Sequence, residues 1–518
     1  MLFLHGILTL TALFSLKRML FISSFLCVVV STYGQHHVTG FLSSPENADR
    51  SEAVALLESE YAVQSEMIEG YSLTRRQKTV LRDAYKARLK AGKMLLESND
   101  AIFSGPLYDY VNAIFKNILS ANPSLDQESR MVLFRNESFN AFTLGDNVVF
   151  VHTGLLYRLR NKEQLALVLA HELAHNMHRH AQQKMLESVR MRTDEELNRE
   201  IRKISDQEYG QATALNELLL PVIYAQREQS RAHELEADSL GLVCFRNAGL
   251  ESVRAFFLFD VMEHAEHVLE PELIDLPSAF ALPASHPAVP RLARYTRVSS
   301  LGTFEEEPKD ASESYLRTHP YETERTAALL RQLGVDGFDT LIAIDEEYLD
   351  YRYLAEGEMV YGAIGNGNFS DGIYYSLRML EHYPGDAYAR SALAYQLCML
   401  SFYKTNRMSG KHVDKQNPRN DEVLDRLNFF LQGLTPEEAM ELGTKFRTAL
   451  PGDYENHLTA ITDALLDYTA KKFDTYEVRR EVLYPGIRKT LLEKPFNDID
   501  EDFYIKQHKQ PIKNKYKE

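Results

Sequence analysis

The sequence predicts an α+β, mostly helical protein: a domain with a small sheet, followed by an α-helical repeat-like domain. Three observations carry this. Apolar residues recur at helical spacing over most of the 518 residues. The period becomes strand-like only in "RMVLFRNE" (130–137) and "NAFTLGDNVVFVHTGLL" (140–156), which are rich in β-branched and aromatic residues around the turn signal Gly145-Asp146. Beyond residue 330 the pattern is helical to the end of the chain.

The elements follow in order. Lys17 and Arg18 precede an apolar run at 19–30, and small or polar residues continue to Gly34 and Gln35. Charged, apolar, then polar residues predict a secretory signal over 1–34, and so a periplasmic or secreted protein. The run falls short of the ~20 apolar residues of a membrane helix, although the apolar stretch at 1–15 leaves an uncleaved N-terminal anchor open. An N-terminal helical segment covers 35–104, including a helix over 74–96. A helix over 105–123 stops at Asn122-Pro123, opening a domain that runs to 330. After the strands, a helix over 161–190 starts behind Asn161, with Glu163 in its first turn. A second long helix covers 211–247, and the acidic stretch 300–314 reads as a loop. In the last domain, 331–518, Pro-Gly-Asp turns at 384–386 and 451–453 separate helices. Their prolines stand 67 positions apart, about twice the ~34-residue tetratricopeptide period, so a tetratricopeptide-like array is expected, with a plain helical bundle as the alternative.

Hydrophobic residues make up 44% and charged residues 25%, as in an ordinary globular chain. The net charge of −16, without a large basic patch, excludes a nucleic-acid binder, whose partner's phosphates need clustered Lys and Arg. No segment after the first 35 residues is long enough to span a bilayer. Beyond the signal only Cys244 and Cys398 remain, too isolated to suggest a disulfide framework.

The chemistry concentrates in "LALVLAHELAHNMHRHA", residues 165–181. Burying an unpartnered imidazole or carboxylate costs about a few kcal/mol, so His171, Glu172 and His175 need a partner in this apolar stretch. Four residues apart on a helix, His171 and His175 project from one face. Such a pair binds zinc as neutral imidazoles, and Glu172, one residue on from His171, can activate a water there. A bare motif of this kind also arises by chance, so a third ligand is the test. "SRAHELEADSLG" (230–241) supplies Glu234 and Asp238 on one face of the second long helix. Glu234 fits the third ligand, and Asp238 can accept a hydrogen bond from the outer nitrogen of a ligand histidine. His178 and His180 are open as spare ligands but are expected at the surface or behind the ligands, and His233 is expected toward solvent.

"HELAH" followed by "RH", then "SRxxExEAD" some sixty residues on, resembles the zinc metallopeptidase family of the heat-shock protease HtpX and the CaaX prenyl endopeptidase. "NAFTLGDNVVFVHTGLL" is similar to that family's Asn-Ala segment and edge strand. The resemblance covers about 105–330 and implies a gluzincin-like metallopeptidase domain. It implies that His171, His175 and Glu234 bind one Zn2+ per chain, with Glu172 as catalytic acid/base and Asp238 behind the ligands. The signal and the helical extension look most like the family's soluble periplasmic branch. That implies an endopeptidase acting on unfolded or misassembled envelope proteins. The family's later His-Pro-x-x-x-x-Arg element has two candidates here: His286 with Arg291, one residue short, and His319 with Arg325, at full spacing. The second pair is preferred to face the metal. The alternative is a chaperone or scaffold that holds clients on the helical repeats, with a latent or regulatory zinc site.

Overall fold

The computed structural model describes residues 48–205, 211–255, 258–263, 274–296, 322–334, 344–416 and 422–508. The signal segment 1–34, the acidic stretch 300–314 and His319 lie outside them. Two compact units form: one from the described residues of 48–263 and 322–359, the other from 274–296 and the described residues of 360–508. Residues 274–296, which precede the sequence boundary at 330, thus group with the C-terminal helices.

The first unit opens with α1 (Ala48–Met67) and α2 (Arg75–Glu97). A capping box at Thr74 starts α2, its side chain accepting from the Gln77 amide while Gln77 returns a bond to the Thr74 amide. Then come β1 (Ala101–Ile102), α3 (Pro106–Ala121), β2 (Arg130–Phe134), β3 (Ala141–Thr143) and β4 (Val148–His152). The sheet order is β1-β2-β4-β3, with β2 and β4 parallel and the outer pairs antiparallel. Val132, Val148 and Phe150 pack with Ala53 and Leu57 of α1 and Leu96 of α2. All five residues of β4 are buried, so a strand covered on both faces reads as a continuous apolar run. That leaves β3 at an edge.

Two stretches depart from the sequence expectation. The strand ends at His152, and Thr153–Arg158 form a short helix. Gly154 donates its amide to Asn136 O at 2.8 Å, and a Cβ there would sit 2.0 Å from Glu137 O, so the chain turns where only glycine fits. The helix predicted over 161–190 breaks at Arg179, whose φ of 56° is left-handed. It divides into α4 (Lys162–Met177) and α5 (His180–Arg192). The break lets Val189 of α5 join Ile68 and, on α2, Leu81 and Tyr85. Burial of that apolar cluster favours the turn over a straight continuation.

Helices α6 (Glu195–Ser205), α7 (Gln211–Asn247) and α8 (Glu322–Leu333) follow, of which α7 and α8 bring residues to the site. In the second unit α10 (Phe369–His382), α11 (Ala387–Thr405), α12 (Glu422–Gly433), α13 (Pro436–Thr448), α14 (His457–Thr469), α15 (Phe473–Ile487) and α16 (Glu493–His508) follow α9 (Glu346–Asn366). The two Pro-Gly-Asp turns do separate helices, but they start them differently. Asp386 is itself the N-cap of α11, whereas Asn456 caps α14, three residues after Asp453. Among the described residues no helix is long and apolar enough to cross a membrane. Cys244 and Cys398 are buried and unpaired with each other.

Asp146, buried in the turn before β4, offers a pH probe away from the site. Burial, only partly offset by Arg88, pushes its carboxyl up to about 6. A raised carboxyl favours the folded state at pH values below the unfolded value of about 3.9, and this contribution is lost as pH rises through about 6. Relative to Asp146→Asn, the wild type should therefore gain about 2 kcal/mol as pH falls from about 7 to 4. Urea unfolding of both proteins across that range checks it, and a pH-independent difference would rule it out.

Candidate metal centre

Helix α4 is built to hold polar groups rigidly. The Asn161 side chain caps it, accepting from the Gln164 amide at 2.9 Å. Leu165, Ala166, Leu169, Ala170, Leu173 and Ala174 are all buried along its length. Helix α7 crosses close by at Gly241, where a Cβ would lie 3.0 Å from His171 N and 3.1 Å from its Cα. That contact brings the face of α7 bearing Glu234 and Asp238 against the histidines. Gly241→Val should push the helices apart, costing about 1–3 kcal/mol and at least tenfold in zinc affinity. Chelator-competition titration measures the affinity, and wild-type affinity in this variant would contradict the role given to the glycine.

The His171 and His175 Nε2 atoms are 3.0 Å apart. Glu234 places Oε2 3.5 Å from the first and Oε1 3.6 Å from the second. Tetrahedral zinc with bonds of ~2.1 Å sets its ligand atoms ~3.4 Å apart, so two imidazoles and a carboxylate in this spacing fit the ion. Glu172 is buried and lines a 120 Å³ cavity with His171 and Glu234. Asn140 and Ala141, at the head of edge strand β3, line the same cavity. Thr143 of β3 donates to Asn176 Oδ1 of α4 at 2.6 Å, tying the strand to the helix that carries the histidines.

Both histidines are braced from behind. Asp238 Oδ1 lies 2.9 Å from His171 Nδ1. Arg325 of α8 forks onto the same carboxylate, with Nε 2.8 Å from Oδ2 and Nη2 2.6 Å from Oδ1. On the other side His175 Nδ1 and His180 Nδ1 are 2.8 Å apart, and His180 Nε2 is 3.2 Å from Glu236 Oε2. The two imidazoles diverge in basicity. Burial opposes charging His171, but Asp238 and Glu234 overcome it and raise the group to about 10. His175, buried and facing that charge, is pushed down to about 2. Two bases aimed at one position behave in this way, since only one of them can take a proton there.

The structure thus brings together His171, Glu172, His175, Glu234, Asp238 and Arg325. Arg325, expected to face the metal, lines the cavity with its guanidinium forked onto Asp238. His286 lies in the other compact unit, and Arg291 there pairs with Glu438. His233, expected toward solvent, is buried and stacks on His180 with ring centroids 4.2 Å apart. Of two further contributors, one carried a weaker sequence signal. A glycine inside a helical pattern, as at Gly241, marks close packing. His180 had none, because residues five apart meet only through the break at Arg179.

Two facing helices that offer two imidazoles and a carboxylate to one point, beside a buried glutamate and an edge strand, define a metallopeptidase domain. Residues 109–333 match the family model described as Peptidase family M48. This segment is thus similar to peptidase family M48. It is 26% identical over 190 residues to the putative beta-barrel assembly-enhancing protease of Vibrio cholerae, covering 36% of this chain and 37% of that one. To the mitochondrial metalloendopeptidase OMA1 of Schizosaccharomyces pombe it is 27% identical over 252 residues, 47% of this chain and 66% of that one. The beta-barrel assembly-enhancing protease of Escherichia coli is 26% identical over 206 residues, 39% of this chain and 41% of its own length. The matched segments thus span less than two thirds of each of these relatives.

Proposed function

We propose that the chain is an exported zinc-dependent endopeptidase that cleaves unfolded or misassembled envelope proteins. The observation that carries this is the convergence of His171, His175 and Glu234, from two separate helices, next to Glu172 and the open edge of β3. Zinc in that position supplies Lewis acidity, polarising a peptide carbonyl and a water. Glu172 takes the proton of the attacking water and returns it to the leaving amine. Asp238 fixes the tautomer of His171 so that Nε2 faces the cation, and Arg325 holds Asp238 in place. An extended substrate adds to β3 by backbone hydrogen bonds, which asks little of its sequence. An envelope setting is supported by the charged-apolar-polar order of residues 17–35 and by the names of the Vibrio and Escherichia relatives. The tetratricopeptide-like helices of 331–518 would hold clients for the 105–330 domain.

The test is metal removal. Purified protein should digest unfolded casein, lose at least 90% of that activity on chelation, and regain it with one equivalent of Zn2+ per chain. Casein binding without cleavage in the zinc-loaded protein would instead favour the chaperone or scaffold.

A further inference from the structure

Beyond the inner site, a second cluster on the far side of His175 has the makings of a cation site. We propose that His178, His180 and Glu236 bind a second Zn2+-class cation, and that filling this outer site weakens the inner one. The coupling rests on the inner-site reading above; the outer site itself does not.

Ligand atoms of these three side chains all lie within 4.8 Å of one another, the same convergence that marks the inner set. Two imidazoles and one carboxylate suit zinc and its neighbours among the transition metals rather than calcium or magnesium. His180 is buried and held in place, with the His233 ring stacked against it and the His178 ring parallel at 5.3 Å. Glu236 is largely exposed and gives the ion an entry path and room for water ligands.

The hydrogen count links the two sites. Neutral His175, ligating through Nε2, carries its one hydrogen on Nδ1 and donates it to His180 Nδ1, 2.8 Å away. His180 then keeps its own hydrogen on Nε2 and donates it to Glu236 Oε2, 3.2 Å away. An outer cation needs that Nε2 lone pair, so the His175–His180 contact has one orientation that suits the inner ion and another that suits the outer one. Repulsion between two dications adds to this conflict. Each ion must weaken the other by the same factor.

Zinc titration of the full mature chain, read by metal analysis and calorimetry, tests this. One tight ion and a second, weaker ion are expected per chain. Filling the weaker site should raise the release rate of the tight ion, and lower casein hydrolysis, each at least tenfold. His178→Phe keeps a ring beside His180 but removes a ligand. It should lose the weaker ion and the zinc inhibition while keeping the tight ion and basal hydrolysis. A wild type with only the tight ion, or inhibition that persists in His178→Phe, overturns the outer site. Absence of the tight ion would instead refute the peptidase reading, and the outer site would stand or fall on whether a His178-dependent ion remains.

Discussion

Glu172→Gln is expected to lower hydrolysis of unfolded casein by about 10²–10⁴-fold, the usual worth of one general acid/base, with zinc content unchanged. The side chain is buried on α4 and lines the cavity with His171 and Glu234, yet it lies outside the three-ligand set. Glutamine keeps its size and much of its hydrogen bonding but cannot accept a proton at neutral pH. Packing should therefore survive, and the loss should fall on kcat rather than on substrate binding. Metal analysis, circular dichroism and steady-state kinetics on one preparation separate these effects. Wild-type kcat in the zinc-loaded variant would remove Glu172 from the chemistry.

Arg325→Met should destabilise the metal-free protein by about 3–5 kcal/mol, the typical cost of breaking a buried pair. It should also weaken zinc binding about 10–100-fold, as loss of an outer partner does. Asp238 and Arg325 are both buried. Burial alone would raise the Asp238 carboxyl, but Arg325, with His171, wins and holds it down at about 2. A depressed carboxyl contributes stability above its unfolded value of about 3.9, lost as pH falls toward 2. Methionine preserves apolar contact with Phe259, over whose ring the guanidinium now sits, so the loss reports the charge. Adding Asp238→Asn to Arg325→Met removes the stranded carboxylate and should restore most of the stability, because a buried pair is often replaceable by neutral groups. It should not restore zinc affinity, since an amide is a poorer acceptor for His171. Urea unfolding and chelator competition on the three variants read the two quantities separately. If affinity recovered along with stability, Asp238 would be serving only the fold.

Much of the site was legible because helices convert sequence spacing into geometry. His171 and His175, like Glu234 and Asp238, are four residues apart and must share a face once their segments are helical. The strand segments were legible because burial on both faces demands the apolar run seen in β4. Local spacing failed where the backbone left the regular pattern. No sequence signal marked the left-handed Arg179, and without that turn His180 could not reach His175. Short β1 offers only two residues, too few to show a period.

The amino-acid order by itself determined which side chains could hold a metal ion, since ligand type and helical phase are local properties. Tertiary packing alone decided that α7 approaches α4 at Gly241, that Arg325 serves Asp238, and that His180 and His233 are buried. Those contacts depend on apolar burial summed over many residues far apart in the chain, and no short stretch of sequence encodes such a sum.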